Sequence, residues 1–252
     1  MAKTIALFNQ KGGVGKTTTA VNLTAALKRG GQRVLLVDVD PQGHSGAGLG
    51  VDKDAISPNA YHLILDGVPV KQVIVPTKFG DVITSNKDLF GAGIQMTELP
   101  QREFILKAAL EPVQSDYDYI LIDCPALLEL LTLNALCAAD SLIIPVQCEY
   151  LALVGLSDLM TTFKMIKRGL NPELEIEGVV LTMYDGRTNL SSQVAAEVKK
   201  YFKGKVFKTP IPRNIRISES PSHSKPAVEY DTYSKGAQAY FELAKELLER
   251  NK

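Results

Sequence analysis

The sequence predicts an α/β protein: a mostly parallel, twisted β-sheet with helices on both faces. Short apolar runs recur along the chain, amphipathic stretches separate them, and the first run opens directly into a glycine-rich turn. The runs are KTIALF (3–8), RVLLVD (33–38), YILIDC (119–124), SLIIPV (141–146) and GVVLTM (178–183). They are continuous rather than alternating, which is the pattern of strands buried on both faces. DVITSN (81–86) reads as an added edge strand. Helical patterns fill 16–29, about 100–111, 127–138, 150–168, 189–203 and 235–250. Regular alternation of strand and helix is the signature of a parallel sheet covered on both sides. The stretch 41–60 carries Gly and Pro and reads as a loop. No repeat or low-complexity linker divides the chain, so a single domain over 1–252 is expected.

Composition narrows the class further. The chain has 252 residues, 45% of them hydrophobic, enough for one sizeable core. Its 28 basic and 28 acidic residues cancel, so whole-chain charge names no partner. Cys124, Cys137 and Cys148 are scattered and odd in number, which argues for a reducing compartment rather than a disulfide framework or zinc site. No run reaches the roughly 20 apolar residues of a membrane helix, and the N-terminus lacks a cleavable signal. A cytoplasmic protein without a membrane partner is expected. The final helix places Tyr240, Leu243, Ala244, Leu247 and Leu248 on one side; docking against the core explains that stripe better than a membrane surface, because its charges nearly cancel.

The glycine-rich turn carries the first chemistry. NQKGGVGKTTTAVNL (9–23) has Gln10 where the usual G-x-x-x-x-G-K-[ST] pattern has its first glycine. What remains, Lys11-Gly12-Gly13-Val14-Gly15-Lys16-Thr17-Thr18, follows a predicted strand and opens a predicted helix. Glycines let backbone N–H groups approach an anion, and the helix N-terminus adds partial positive charge. Lys16 is placed for the β- and γ-phosphates of ATP, and the Thr17 hydroxyl for Mg²⁺. The bland alternative is a glycine turn with a capping threonine. A dinucleotide turn is disfavoured, since G-x-G-x-x-G is absent and Lys16-Thr17 has no role there.

Acids at strand ends should face the same ligand. Asp123 ends one apolar run and is the candidate Mg²⁺-associated acid, acting through water; Asp38 and Asp40 end another. Asp40-Pro41-Gln42-Gly43 also reads as a turn in its own right.

The motifs KGGVGKTTT, LLVDVDPQG, LIDCP, LTLNAL, PVQCEYLAL, TMYDGRT and IPRN occur in that order. The chain resembles the ParA/Soj partition ATPases, of the deviant Walker A (MinD/ParA) superfamily of P-loop ATPases, from Lys3 to about residue 250. The resemblance implies that Lys11 reaches across a homodimer interface to the ATP bound by the other subunit, supplying a cation where phosphoryl transfer builds negative charge. Lys11, Lys16 and Asp40 are then the catalytic set, with Asp40 orienting the attacking water. It also implies that Pro212 and Asn214 lie near the adenine, that ATP-bound dimers bind double-stranded DNA without sequence specificity on the nucleoid, and that a ParB/Spo0J-like protein stimulates a slow hydrolysis.

Charge alone leaves a DNA face and an ordinary solvated face equally open. Between Asp185 and Arg216 there are eight basic residues and two acidic ones in a chain that sums to zero. A local basic face suits phosphate-backbone binding, although a solvated face with acids nearby in space gives the same count. The resemblance selects Arg187 and Arg216 first, then Lys199, Lys225 and Lys235.

The chain departs from the family after Asp123. Cys124-Pro125-Ala126-Leu127-Leu128-Glu129 lacks the second proline and the serine of D-x-P-P-S, which should loosen this segment. His44 stands where the family often carries Asn, and reads as a loop residue before it reads as a base. The first strand begins at Lys3, so no N-terminal helix-turn-helix is expected. Three rivals share the core: a ParA-like ATPase positioning a protein cargo, a MinD-like membrane ATPase, and an electron-transfer ATPase with an iron–sulfur cluster.

Overall fold

The C-terminal ends of the parallel strands build the site. The computed structural model describes residues 1–150 and 152–252, so Leu151, within the PVQCEYLAL motif and the predicted helix 150–168, lies outside the described residues. The strands are β1 (Lys3–Leu7), β2 (Val34–Asp38), β3 (Ile74–Val75), β4 (Asp81–Ile83), β5 (Tyr119–Asp123), β6 (Ser141–Gln147) and β7 (Glu175–Thr182). They form one seven-stranded sheet in the order β3-β4-β2-β5-β1-β6-β7. All neighbours are parallel except β3 and β4. The segment expected at the edge is therefore internal: β4 pairs with β2, and the two-residue β3 covers its other side in antiparallel fashion. So short a strand carries too few residues to register as a run.

The continuous apolar runs are explained by burial on both sides. In β1, Ile5 and Leu7 enter the core on one face while Ala6 and Phe8 enter the core on the other; β5 divides Leu121 from Ile120 and Ile122 in the same way. Helices Lys16–Arg29 and Lys235–Arg250 pack on the first face. Tyr240, Leu243 and Leu247 of the last helix are 0–1% exposed, so its apolar stripe is spent on docking. No helix among the described residues is long and apolar enough to cross a membrane.

Helices Lys16–Arg29, Leu130–Ala138, Asn189–Tyr201 and Lys235–Arg250 follow their sequence patterns closely, whereas the helix expected near 100–111 spans only Ile105–Leu110. The stretch 41–60 is not wholly loop: it holds a short helix, His44–Gly48, and leads into another at Ala60–Leu65. Register then sets the site. Leu7 lies opposite Asp123, and Asp123 opposite Asp38, so the glycine turn and two carboxylates leave the sheet side by side at its C-terminal edge.

Candidate nucleotide site

The glycine turn begins with a clamp that the motif reading missed. Asn9 Nδ2 donates to the Pro145 carbonyl at 2.8 Å, and its Oδ1 accepts from the Lys11 N–H at 3.0 Å. The far side is fixed by Thr182, whose Oγ1 donates to the Val14 carbonyl at 2.7 Å. Gly15 takes φ +90, a conformation L side chains rarely adopt, and is the N-cap of helix Lys16–Arg29. A Cβ added at Gly12 or Gly13 would meet nothing within 4 Å, so the turn has open space in front of it. The first N–H groups of the helix have no intrahelical partner, and its first turn contains no acidic residue.

Lys16 is nearly buried, and its Nζ donates to the carbonyls of Asn9 (3.0 Å) and Lys11 (3.3 Å). Burial lowers its pKa, opposed by Asp123 and Asp40. An ammonium folded over the turn by two neutral carbonyls is a cation ready to exchange them for phosphate oxygens. Lys11 takes a different course. It is half-buried, and its Nζ lies 3.8 Å from Glu149, which Arg213 also approaches at 3.7 Å.

Asp38 and Asp123 are fully buried. Burial raises both carboxyl pKa values; at Asp38 the Asp123 charge adds to it, and at Asp123 the hydroxyls of Ser45 and Thr17 pull the other way. Asp38 is a framework residue. It accepts from the backbone N–H of Asp40 at 3.1 Å and of Ser45 at 2.9 Å, shaping the loop rather than facing solvent. Asp40 is half-exposed; its Oδ1 accepts from the Gln42 N–H at 2.9 Å, the turn role, and its carbonyl accepts from the Ser85 hydroxyl. Gly43 turns at φ +63 against Ser85, where a Cβ would collide with the carbonyl. His44 is exposed at the start of the short helix.

Asp123 provides a test of whether a metal fits. Its Oδ2 accepts from Ser45 Oγ at 2.7 Å, while its Oδ1 is buried without a hydrogen-bond partner among the described residues. An orphaned carboxylate oxygen beside the Thr17 hydroxyl suits Mg²⁺, which takes few protein ligands and fills its octahedron with phosphate oxygens and water. No group of three or more His, Cys, Asp or Glu that could hold a metal ion occurs among the described residues.

A cavity of about 290 Å³ adjoins the turn, lined in part by Gly15, Thr18, Met183, Pro212, Asn214 and Tyr240. It lies at the small end of ligand pockets and suits a base more than a whole nucleotide. Pro212 and Asn214 line this cavity together with Thr18; the Asn214 side chain also caps helix Ile215–Glu219 by accepting from the Arg216 N–H at 2.9 Å.

The five basic candidates are all exposed. Arg216, in helix Ile215–Glu219, and Lys235, at the start of the last helix, belong to packed neighbours, with Gly236 against Ile217. Lys225 follows the short turn of helix that connects them. Arg187 sits in the turn after β7, and Lys199 lies about 15 Å further along helix Asn189–Tyr201. The two arginines have acids of their own: Arg187 grips Asp185 at 2.7 Å, and Arg216 meets Glu219 at 3.0 Å and Asp231 at 3.2 Å. Pairs this exposed are screened by solvent and hold weakly.

The three cysteines are buried in the core, and burial pushes the thiols of Cys137 and Cys148 up to about 11. Groups so placed are poor ligands for a cluster at a subunit interface.

Comparison with known proteins agrees with this geometry. The family described as an AAA domain matches residues 2–176. The sporulation initiation inhibitor protein Soj of Bacillus subtilis is 55% identical over 249 residues, 98% of each chain. The chromosome partitioning protein ParA of Myxococcus xanthus is 49% identical, covering 100% of this chain and 89% of its own. Among solved structures, cobyrinic acid a,c-diamide synthase from Mycobacterium smegmatis, with bound ATP analog and magnesium, superposes with a TM-score of 0.87 at 38% identity over 98% of this chain and 95% of that one. The cell division ATPase MinD of Pyrococcus furiosus superposes with a TM-score of 0.80 at 29% identity over 99% of both.

Proposed function

The chain belongs to the ParA/Soj partition ATPases, and from that premise we propose that it segregates chromosomal or plasmid DNA by switching with ATP between monomer and homodimer. The observation that carries the reading is the 55% identity to Soj over 98% of both chains. The identity to cobyrinic acid a,c-diamide synthase is 38%, which favours partition over amide synthesis.

In this reading the helix N-terminus and the turn Gly12–Gly15 receive the phosphates of ATP, and Lys16 leaves its two carbonyls to neutralise them. Thr17, directly, and Asp123, through water, would hold Mg²⁺, which when bound neutralises charge on the phosphate oxygens. Asp40 orients the attacking water. Lys11 leaves Glu149 and enters the partner's site, which makes ATP the link between subunits. Pro212 and Asn214 flank the adenine. The dimer doubles a basic surface too weak alone, so nonspecific DNA binding follows the nucleotide. A ParB/Spo0J-like protein stimulates hydrolysis and returns the protein from the nucleoid to the cytoplasm.

The test is the mass in solution with ATP and Mg²⁺. The wild type and Asp40→Ala should form dimers, with kcat in Asp40→Ala reduced by about 10²-fold or more; Lys11→Ala should remain monomeric while still binding ATP. A dimeric Lys11→Ala would sink the role in trans.

A further inference from the structure

Ser45 is joined to both buried carboxylates of the site. Its N–H donates to Asp38 Oδ2 at 2.9 Å and its hydroxyl to Asp123 Oδ2 at 2.7 Å. The side chain is fully buried, and the two acids are direct neighbours across β2 and β5. The helix carrying it, His44–Gly48, is wedged by small residues: a Cβ at Gly46 would come within 2.7 Å of Thr84, and one at Gly48 within 2.9 Å of Val21. Ser45 therefore has no room to shift along the sheet edge. Asp38 extends the chain of bonds to the Asp40 N–H at 3.1 Å.

We propose that the Ser45 hydroxyl is a positioning residue for the nucleotide site: it fixes the Asp123 carboxylate through Oδ2, leaves Oδ1 uncommitted for the magnesium side, and fastens the loop bearing Asp40 to the strand bearing Asp123. The inference rests on the reading of Asp123 as the acid that holds Mg²⁺ through water. Its physical basis is that a carboxylate with one oxygen pinned has one rotational state, whereas an unpinned one must be ordered when the metal binds. It also gives the loop a reason to respond to the metal, because any turn of Asp123 pulls on Ser45 and hence on Asp40.

The experiment compares wild type, Ser45→Ala, Ser45→Thr and Asp123→Asn. A fluorescent ATP analogue is titrated in EDTA and over a Mg²⁺ series, and amide hydrogen exchange is followed in residues 39–50 of nucleotide-free protein. Ser45→Ala keeps the backbone bond to Asp38 and loses only the hydroxyl. Loss of a group that orients a metal ligand typically weakens metal affinity by about 10–100-fold. The half-saturating Mg²⁺ concentration should therefore rise by about that factor in Ser45→Ala, with binding in EDTA unchanged. Exchange in 39–50 should accelerate, and Ser45→Thr, which retains the hydroxyl, should restore both. A half-point moved by Asp123→Asn but not by Ser45→Ala overturns the inference alone. A half-point unmoved by Asp123→Asn overturns the parent reading, and this inference with it. Equal weakening in EDTA and in Mg²⁺ also overturns it, since that is what a merely structural bond would do.

Discussion

Thr182 shows how a residue far away in sequence holds the phosphate turn. Its hydroxyl bonds the Val14 carbonyl from 168 positions away, in a fully buried setting. Thr182→Val keeps the volume and removes the donor, leaving a buried carbonyl unpaired at a cost of about 1–3 kcal/mol. A lowered melting temperature and weaker ATP binding are expected together; unchanged binding would mean that the turn holds its shape without the clamp. Lys16, Thr17 and Asp123 were legible in the sequence because each belongs to a contiguous pattern whose chemistry requires that residue type. Asn9, Ser45 and Thr182 were not, since each is an ordinary polar residue whose partner is set by the register of another strand. The Ser45 and Asp123 side chains meet across 78 positions, and only the sheet order brings them together.

Among elements, the last helix makes the clearest energetic statement. Leu243 is fully buried against helix Lys16–Arg29, in the core that carries the phosphate turn. Leu243→Ala should cost about 2–5 kcal/mol, read by chemical denaturation. The same face is unavailable to lipid while folded, so the wild type should not float with anionic vesicles; flotation would reopen the MinD-like reading. The long strands and helices were legible because burial on two faces or one stripe imposes a period on many residues. Helices Ala60–Leu65, Leu89–Met96 and Ile215–Glu219 are of eight residues or fewer. They give too few turns for a period to emerge, and tertiary packing rather than local pattern decides them. The expected edge at DVITSN failed for a related reason, because a two-residue strand is enough to cover it.

For the whole molecule, one buried acid ties the two ends of the chain to the sheet. Glu177 accepts from Lys3 at 2.8 Å, from Ser141 at 2.8 Å and from Asn251 at 2.8 Å. Burial alone would raise its carboxyl, but these bonds prevail and hold it below its ordinary 4.5. A folded value below the unfolded one means that stabilisation is fully present above 4.5 and is lost as pH falls through the folded value. Glu177→Gln should therefore melt lower than wild type at neutral pH, by about 1–3 kcal/mol in stability. The gap should close in acid; a gap independent of pH would assign the loss to packing instead. A cavity of about 740 Å³ opens beside Lys3, Glu177 and Arg250, at the end of the sheet opposite the phosphate turn. Ligands of such sheets bind at the carboxyl ends of strands, and the turn, Asp38, Asp40 and Asp123 all lie there. In the proposed cycle ATP, by closing two subunits, turns a neutral chain into a DNA-binding one. The most direct measurement is DNA binding with ATP, with ADP and without nucleotide, over a salt series, for wild type, Lys11→Ala and Arg216→Ala. Binding that requires ATP, weakens steeply with salt and is lost in both variants is the predicted result; equal binding in every nucleotide state would contradict it.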